Sequence, residues 1–196
     1  MQKTNVKLTF FSLMFIVAFL LTGNKYTFIC ILAAFLHELG HVIAARLLDI
    51  KISEFSLGVL GARLRLSERV YSYGQEVIVS AAGPFSNIVF ALLAFLFFDG
   101  ENAEIFIAFS LFLAILNLLP IRTFDGGRIF ECLLLLFLPL HFSKRIIDVS
   151  TFIFIFFLWS VSVYFLLIYA SSLNLFIFSA SLFSSLLISE ENGRFS

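Results

Sequence analysis

Charge is scarce in this 196-residue chain: only 13% of the residues are charged, whereas 61% are hydrophobic. A composition with so little polar surface excludes a soluble domain and predicts a polytopic membrane protein. The formal net charge is zero, so the total gives no reason to expect nucleic acid or another anionic partner. The two cysteines, Cys30 and Cys132, lie in apolar runs and are too few for a disulfide framework, so we expect free thiols.

Long polar segments are lacking as well. The longest is Asp49–Gly74, which at 26 residues is far shorter than a folded domain. We therefore expect a single membrane-embedded domain over residues 1–196, with its core at 26–141 and with no PDZ or nucleotide-sensing domain. Regulation is then expected to come from a membrane partner or from substrate supply.

Hydropathy predicts an all-α membrane protein with about six transmembrane helices. Residues Ile129–Leu140 are apolar but short for a span, which needs ~20 residues. They could form a partial helix, or the fourth span could be broken around Pro120–Gly127. Lys3 and Lys7 precede the first span, but no A-x-A cleavage site follows it, so we expect an uncleaved helix. The 28 phenylalanines are interpreted as lipid-facing bulk. The predicted spans are about Leu8–Leu21, Tyr26–Leu48, Glu76–Phe98, Ile105–Leu119, Ile146–Tyr169 and Leu173–Ile188.

Basic residues predict the orientation in the membrane. The loop Asp99–Glu104, between the third and fourth spans, contains no Lys or Arg. Because basic loops stay in the cytosol, we expect the segment between the second and third spans to be cytosolic, together with the N-terminus. Access to an active site near that segment is then also expected from the cytosol. That basic segment, between the second and third spans, carries Arg46, Lys51, Arg63, Arg65 and Arg69.

The same segment has a strand signal. Apolar residues alternate with Gly or Arg from Leu60 to Leu66, a period of two that is typical of a β-strand. Ile52–Val59 is the expected partner in a small membrane-associated hairpin, with Gly58 and Gly61 near the turn. The hairpin could simply pack on the bilayer surface, or its open edge could pair with an extended substrate by β-addition.

One motif interrupts an apolar run. His37-Glu38-Leu39-Gly40-His41 has the pattern H-E-x-x-H, and no charge occurs in Tyr26–Leu36 or Val42–Ala45. On a helix, positions i and i+4 share a face, so both imidazoles can bind one zinc ion and Glu38 can act as a general base. Such residues cost ~2–3 kcal/mol each at the bilayer centre, so a purely structural pair of histidines does not explain the Glu. The motif predicts hydrolysis at membrane depth.

A catalytic zinc ion needs a third protein ligand. Cys30 lies two helical turns, ~10 Å, before His37 and is too far away. His141 adjoins Lys144-Arg145, where a solvated histidine is expected. Asp125 remains, in a segment where Pro120 interrupts a helix and Gly126-Gly127 permits a tight turn. Its alternative role is an ion pair with Arg128 on the cytosolic surface.

Three motifs together resemble the site-2 protease family of intramembrane zinc metalloproteases, peptidase family M50. They are His37–His41, Gly83-Pro84-Phe85-Ser86-Asn87, and Asn117-x-x-Pro120-x-x-x-x-Asp125-Gly126. Their order and spacing are similar to the branch with the sporulation protease that processes an inactive sigma-factor precursor. The resemblance covers His37 to Arg128 and departs at Thr123-Phe124, where relatives often have Pro-Leu.

The resemblance implies specific roles for individual residues. His37, His41 and Asp125 would bind Zn²⁺, Glu38 would be the general base, and Asn117 and Pro120 would shape a substrate-binding loop. The implied activity is cleavage of a membrane-associated or transmembrane protein, for example to release a membrane-held transcription or sigma factor. Gly83, Ser86 and Asn87 are interpreted as ordinary helix-packing residues.

Two other classes of protein remain open from the residues alone. A divalent-metal transporter would also place His and Asp in a membrane, but it does not need Glu38 and commonly shows internal repeats, which this sequence lacks. A catalytically silent membrane scaffold would tend to lose Glu38 or a ligand, and all are present. The expected partners are a membrane protein substrate, the lipid bilayer and an inhibitory or regulatory membrane protein.

Overall fold

The computed structural model of the protein describes residues 5–8, 25–50, 52–58, 61–66 and 72–169. The chain divides into two compact units between Leu118 and Leu119, and each is described by itself. In chain order, the strands are β1 (Asn5–Leu8), β2 (Ile52–Gly58) and β3 (Gly61–Leu66), and the helices are α1 (Lys25–Leu47), α2 (Tyr73–Phe97), α3 (Glu101–Asn117), α4 (Asp125–Phe137) and α5 (Leu140–Tyr169).

Three of the described helices are long and apolar enough to cross a membrane: α1, α2 and residues Leu140–Tyr164 of α5. Large apolar side chains on these helices face outward, including Phe35 at 60% exposure and Phe95 at 71%. In water this surface would be unstable, whereas lipid tails solvate it well. The chain is an integral membrane protein. The predicted spans near Leu8–Leu21 and at Leu173–Ile188 lie outside the described residues, apart from Leu8, the last residue of β1.

The first unit packs α1, α2 and α3 against one another. The residues buried between these helices are small: Ala33, Ala44 and Ala45 on α1, and Ala91 and Ala94 on α2. Small side chains let membrane helices approach closely, which replaces the hydrophobic driving force that lipid cannot supply. The inner face of this unit is therefore set by backbone proximity and by the few polar groups it encloses.

Helix α2 begins with a capping box. The backbone N–H of Gln75 donates to the Ser72 hydroxyl, and the Ser72 N–H donates to the Gln75 side-chain oxygen. These bonds satisfy two donors that have no partner inside the helix. They start the helix at Tyr73, three residues before the Glu76 that hydropathy gave as its beginning. The helix then continues through the buried Pro84 to Phe97.

A polar cluster joins the first residues of α1 and α3. The Tyr26 hydroxyl and the Lys25 ammonium both donate to Glu101, at 2.7 Å and 3.3 Å. These two hydrogen bonds, Tyr26 first, hold the pKa of the Glu101 carboxyl below its usual range. All three groups are solvent-accessible, so the cluster fixes which helix ends meet and adds little stability.

The strands form one three-stranded sheet in the order β1-β2-β3. Strands β2 and β3 are antiparallel, with Gly58 opposite Gly61, in the segment where period-two alternation predicts strands. Strand β1 pairs in parallel with β2, opposite Glu54–Leu57. Sequence analysis missed β1 because four residues are too short for a periodic signal, and it began a helix at Leu8, which is the last residue of β1.

In the second unit, α4 and α5 flank a short connection. The apolar segment Ile129–Leu140 is mostly inside the 13-residue α4, which is too short to span a bilayer. The turn before α4 is held by α5: the Ser150 hydroxyl donates to the Pro120 carbonyl, and the Arg122 N–H donates to Thr151 Oγ1, both at 2.9 Å. Arg122 also forms an ion pair with Asp148. Helix α5 therefore shapes the turn that leads into Asp125.

Candidate metal centre

The buried face of α1 carries both motif histidines. Ala33, His37, His41, Ala44 and Ala45 are its buried residues, spaced three, four or one apart along a single stripe. His37 is 5% exposed and His41 is 7% exposed. A helix that buries two imidazoles among alanines must provide each ring with polar partners, because unpartnered polar groups are costly in an apolar setting.

The two imidazoles converge on each other. His37 Nε2 lies 3.3 Å from His41 Nε2, and the rings meet edge to face. Two nitrogen ligands about 2.0–2.1 Å from one tetrahedral zinc ion stand about 3.3–3.4 Å apart. The ligand pair of the H-E-x-x-H motif therefore has the spacing that a shared ion requires, and these residues fit zinc.

The tautomer of His41 is fixed by helix α2. His41 Nδ1 lies 2.8 Å from the backbone carbonyl oxygen of Val79. A carbonyl oxygen can only accept, so Nδ1 carries the proton and the lone pair of the neutral ring is on Nε2. This is the protonation state that a metal ligand needs, held by a carbonyl as is usual for ligating histidines.

His37 also has a partner on helix α2, and this one is a side chain. Asn87 Nδ2 lies 3.2 Å from His37 Nδ1. Asn87 is fully buried, and its Oδ1 has no hydrogen-bond partner among the residues that the structure describes. A buried polar atom without a partner costs about 1–3 kcal/mol of folding free energy, so the burial of this amide destabilises the fold by about that amount.

Two glycines allow α1 and α2 to approach this closely. A Cβ atom at Gly40 would meet the Ala82 carbonyl oxygen at 2.5 Å and Ser86 Oγ at 2.8 Å. A Cβ atom at Gly83 would lie 2.7 Å from His37 Nε2 and closer still to His41 Nε2. Gly83 therefore keeps open the space that the histidine pair needs for a metal.

Ser86 ties the helices together next to the motif. Its hydroxyl lies 2.9 Å from the Leu36 carbonyl oxygen on α1 and 2.7 Å from the Gly83 carbonyl oxygen on its own helix. Glu38 is partly exposed, one residue after His37. Its position in the sequence, next to the first histidine of the motif, is the one that a general base for water would have.

Asp125 is the first residue of α4 in the second unit and is partly buried. The Phe124 N–H donates to the Ile121 carbonyl at 2.8 Å, which closes the turn before it. A Cβ atom at Gly127 would collide with the Ile121 carbonyl group, so the glycine pair serves close backbone approach as well as turning. The carboxylate also lies where the helix dipole favours negative charge.

The other residues that the sequence singled out lie on other parts of the described chain. Asn117 ends α3 and donates from Nδ2 to the Leu113 carbonyl of its own helix at 3.0 Å. Pro120 lies in the turn before Asp125, and Ser150 binds its carbonyl. Cys30 is half-buried near the start of α1. His141 is exposed in the first turn of α5, with its ring against Phe142 at a centroid distance of 4.2 Å.

Sequence reasoning missed five contributors. Asn87 and Gly83 were assigned to helix packing, although both contact the histidines. The Val79 carbonyl leaves no trace in the sequence, because any residue has a backbone oxygen. Ser150 and Thr151 were treated as part of a hydrophobic span; the signal available was their position beside Asp148 in an apolar helix.

A buried H-E-x-x-H pair at ligand spacing in a membrane helix is the arrangement expected of a membrane-embedded metallopeptidase. Comparison with known proteins agrees. Residues 25–106 match the sequence model of peptidase family M50. The chain is 29% identical over 134 residues to Stage IV sporulation protein FB of Bacillus subtilis (strain 168), covering 65% of this chain and 46% of the relative. The chain thus spans about half the length of that curated relative.

A solved structure shares the fold. The site-2 protease from Methanocaldococcus jannaschii matches with a TM-score of 0.62 and 22% sequence identity, over 92% of this chain and 88% of that one. The match to the M50 model covers less than half of the chain, and the chain is similar to that family and to its sporulation member, as its three motifs predict.

Proposed function

We propose that this protein is an intramembrane zinc metalloprotease that hydrolyses a peptide bond of a membrane-associated or transmembrane protein. The observation that carries the proposal is the buried pair of imidazoles on α1, with Nε2 atoms 3.3 Å apart and Glu38 between them in sequence. Neither helix packing nor a soluble fold accounts for this pair inside a span. The match of residues 25–106 to the model of a peptidase family supports the same proposal.

Each residue of the site has one role in the proposed reaction. His37 and His41 would hold zinc through Nε2, and the ion would supply polarisation of the scissile carbonyl and activation of water. Glu38 takes the proton from the attacking water and passes it to the leaving amine. The Val79 carbonyl holds His41 in the ligating tautomer throughout.

We propose Asp125 as the third ligand. Catalytic zinc takes three protein ligands, and His37, His41 and Asp125 are a group of described side chains whose chemistry could hold one ion. The turn from Leu119 to Phe124, held by Ser150 and Thr151, gives Asp125 a fixed position at the start of α4. Asn117 and Pro120 flank that turn, which supports a role for them in binding substrate.

A transmembrane substrate must present an extended backbone to the site. A transmembrane helix hides its peptide bonds in internal hydrogen bonds, so it must unwind before hydrolysis. Strand β3 pairs with β2 on one side in the described sheet, and its other edge could pair with an unwound substrate. We propose release of a membrane-held transcription or sigma factor as the type of reaction. The proposed topology has six spans and a cytosolic N-terminus, with a regulatory membrane protein as a further partner.

Glu38→Gln tests the proposal directly. It removes the general base and keeps the metal ligands, so cleavage should fall at least ~10²-fold while bound zinc is unchanged. The experiment compares the purified variant with the unmodified chain on a panel of single-span substrates and counts zinc per chain. Cleavage by Glu38→Gln at the unmodified rate would overturn the mechanism, whereas bound zinc with no cleavage of any substrate by either protein would favour the silent scaffold.

A further inference from the structure

One threonine of α5 is bonded to the turn that precedes Asp125. Thr151 is 5% exposed, and its Oγ1 accepts from the Arg122 N–H at 2.9 Å and donates to the Ile147 carbonyl of its own helix at 2.6 Å. An amide N–H can only donate and a carbonyl oxygen can only accept, so the direction of both bonds is fixed. The Thr151 hydroxyl therefore joins the backbone of α5 to the backbone of the turn.

The bond to Thr151 takes a donor that the turn does not use for itself. The turn closes through the Phe124 N–H, which donates to the Ile121 carbonyl at 2.8 Å. The Arg122 N–H lies between these two residues and donates to Thr151. The Arg122 side chain adds an ion pair with Asp148, but both groups are partly exposed, so this pair contributes little. The hydroxyl of Thr151 is thus a buried attachment of the turn to α5.

The first turn of α4 packs directly on the same backbone. A Cβ atom at Gly127 would lie 2.9 Å from Arg122 Cα and closer still to the Ile121 carbonyl group. Ile121 is itself fully buried, so the turn is packed on its inner side as well. Because close-packed groups transmit a displacement to their neighbours, a shift of Arg122 should move the start of α4, where Asp125 is the first residue.

We propose that Thr151 is a positioning residue that fixes the Asp125 carboxylate for metal binding through the backbone of Arg122. The inference rests on the proposed metal site, with Asp125 as a ligand. Zinc sites keep their ligand distances within about ±0.2 Å, so a turn that is free to shift by more than this presents its ligand less well. Groups that orient metal ligands commonly contribute about 10–100-fold to metal affinity. Thr151 would give this support to a ligand on the neighbouring helix.

Two substitutions at Thr151 separate the hydroxyl from packing. Thr151→Val keeps the shape and leaves the Arg122 N–H without its acceptor, so zinc affinity should fall about 10–100-fold. Thr151→Ser keeps the hydroxyl and loses only a methyl group, so its affinity should stay near that of the unmodified chain. Ser160→Ala is the matched control, because the Ser160 hydroxyl is also on α5 but donates to the Phe156 carbonyl of its own helix at 2.9 Å. That variant should bind zinc as the unmodified chain does.

A double-mutant cycle with Asp125→Asn tests whether Thr151 acts through Asp125. If it does, Thr151→Val should weaken zinc binding in the unmodified background and have little further effect once Asp125→Asn has removed the ligand. A substitution that merely loosens the fold would weaken binding by the same factor in both backgrounds. Equal factors would therefore overturn the proposal. Equal losses of affinity in Thr151→Val and Thr151→Ser would overturn it too, since the hydroxyl would then be irrelevant.

Zinc affinity is measured by competition with a chelator on purified protein, with helix content checked for each variant. Thr151→Ala removes the same acceptor and replaces Thr151→Val if the valine variant does not fold. Amide hydrogen exchange without added zinc gives a second readout: the Arg122 N–H should exchange faster in Thr151→Val than in Thr151→Ser. Equal exchange in the two would show that the bond does not hold the turn and would overturn the proposal.

Failure of this inference is distinct from failure of the proposed function. If the unmodified chain binds no zinc, the proposed function itself fails, and the role of Thr151 fails with it. If the unmodified chain binds zinc and Thr151→Val binds it equally tightly, only the positioning role is overturned.

Discussion

Gly83→Ala tests the metal centre through space and not through a ligand. The added Cβ would lie 2.7 Å from His37 Nε2, whereas an ordinary contact needs 3.4–4 Å. Moving from 2.7 to 3.4 Å displaces that imidazole by about 0.7 Å, and His41 Nε2 must move further. Zinc sites keep their ligand distances within about ±0.2 Å. We expect zinc affinity to fall at least ~100-fold, beyond the usual effect of losing a partner of a ligand.

The fold should survive this substitution better than it survives one at Gly40. The atoms that crowd Gly83 are the ends of two imidazoles, which can rotate away. At Gly40 the nearest atom is the Ala82 backbone oxygen at 2.5 Å, so a Cβ there forces the helices apart. Overpacking of this kind costs about 1–3 kcal/mol. Gly83→Ala should therefore lose metal while keeping most of its metal-free stability, and Gly40→Ala should lose stability with or without metal.

Gly74→Ala is the control for the change of residue type. Gly74 is also on α2, and a Cβ there would meet only Ser72 Oγ, at 3.8 Å. The assay is zinc per chain under chelator competition, together with thermal unfolding of the metal-free proteins. If Gly83→Ala bound zinc as tightly as Gly74→Ala, the two Nε2 atoms would not be holding an ion against this face of α2.

Three further predictions concern the second unit and the membrane. Asp125→Asn should abolish cleavage and weaken zinc binding, while His141→Ala leaves both nearly intact; zinc counts with the opposite outcome would assign the ligand to His141. Gly127→Ala should destabilise the turn before α4 by about 1–3 kcal/mol and lower zinc content, because its Cβ meets backbone; unfolding curves like those of the unmodified chain would contradict this. Single-cysteine reporters in Asp49–Gly74 should be protected from an impermeant outside reagent and those in Asp99–Glu104 labelled, whereas the reverse pattern would invert the orientation.

The motif on α1 was predictable because its signal is local. H-E-x-x-H fixes two side chains on one helix face by spacing alone, and the two Nε2 atoms lie 3.3 Å apart. Helix termini were less predictable, since hydropathy does not register a capping box such as Ser72–Gln75. Strand β1 depends on pairing with a segment nearly fifty residues away, which no local pattern encodes.

The partners of the ligands were hidden for a different reason. Val79 contributes a backbone oxygen, and Asn87 contributes an amide that sequence reasoning could equally assign to packing between helices. Gly83 matters because it has no side chain, and only the positions of the two imidazoles show why a side chain is excluded there. Sequence supplies the ligands of such a site more readily than the groups that orient them, because orientation is a property of two helices together.

This dependence explains why α2 cannot be a generic apolar span. Each imidazole inside the membrane has two nitrogens, and a bound ion engages one of them on each ring. The other must be satisfied inside the protein, because lipid offers no hydrogen bond and an unsatisfied group costs several kcal/mol. Helix α2 provides a carbonyl for His41 and an amide for His37, and its Gly83 backbone lies close enough to bring both within reach. The contacts that pack these two helices are therefore the same contacts that orient the histidines, and a substitution that loosens the packing should also weaken the proposed metal site.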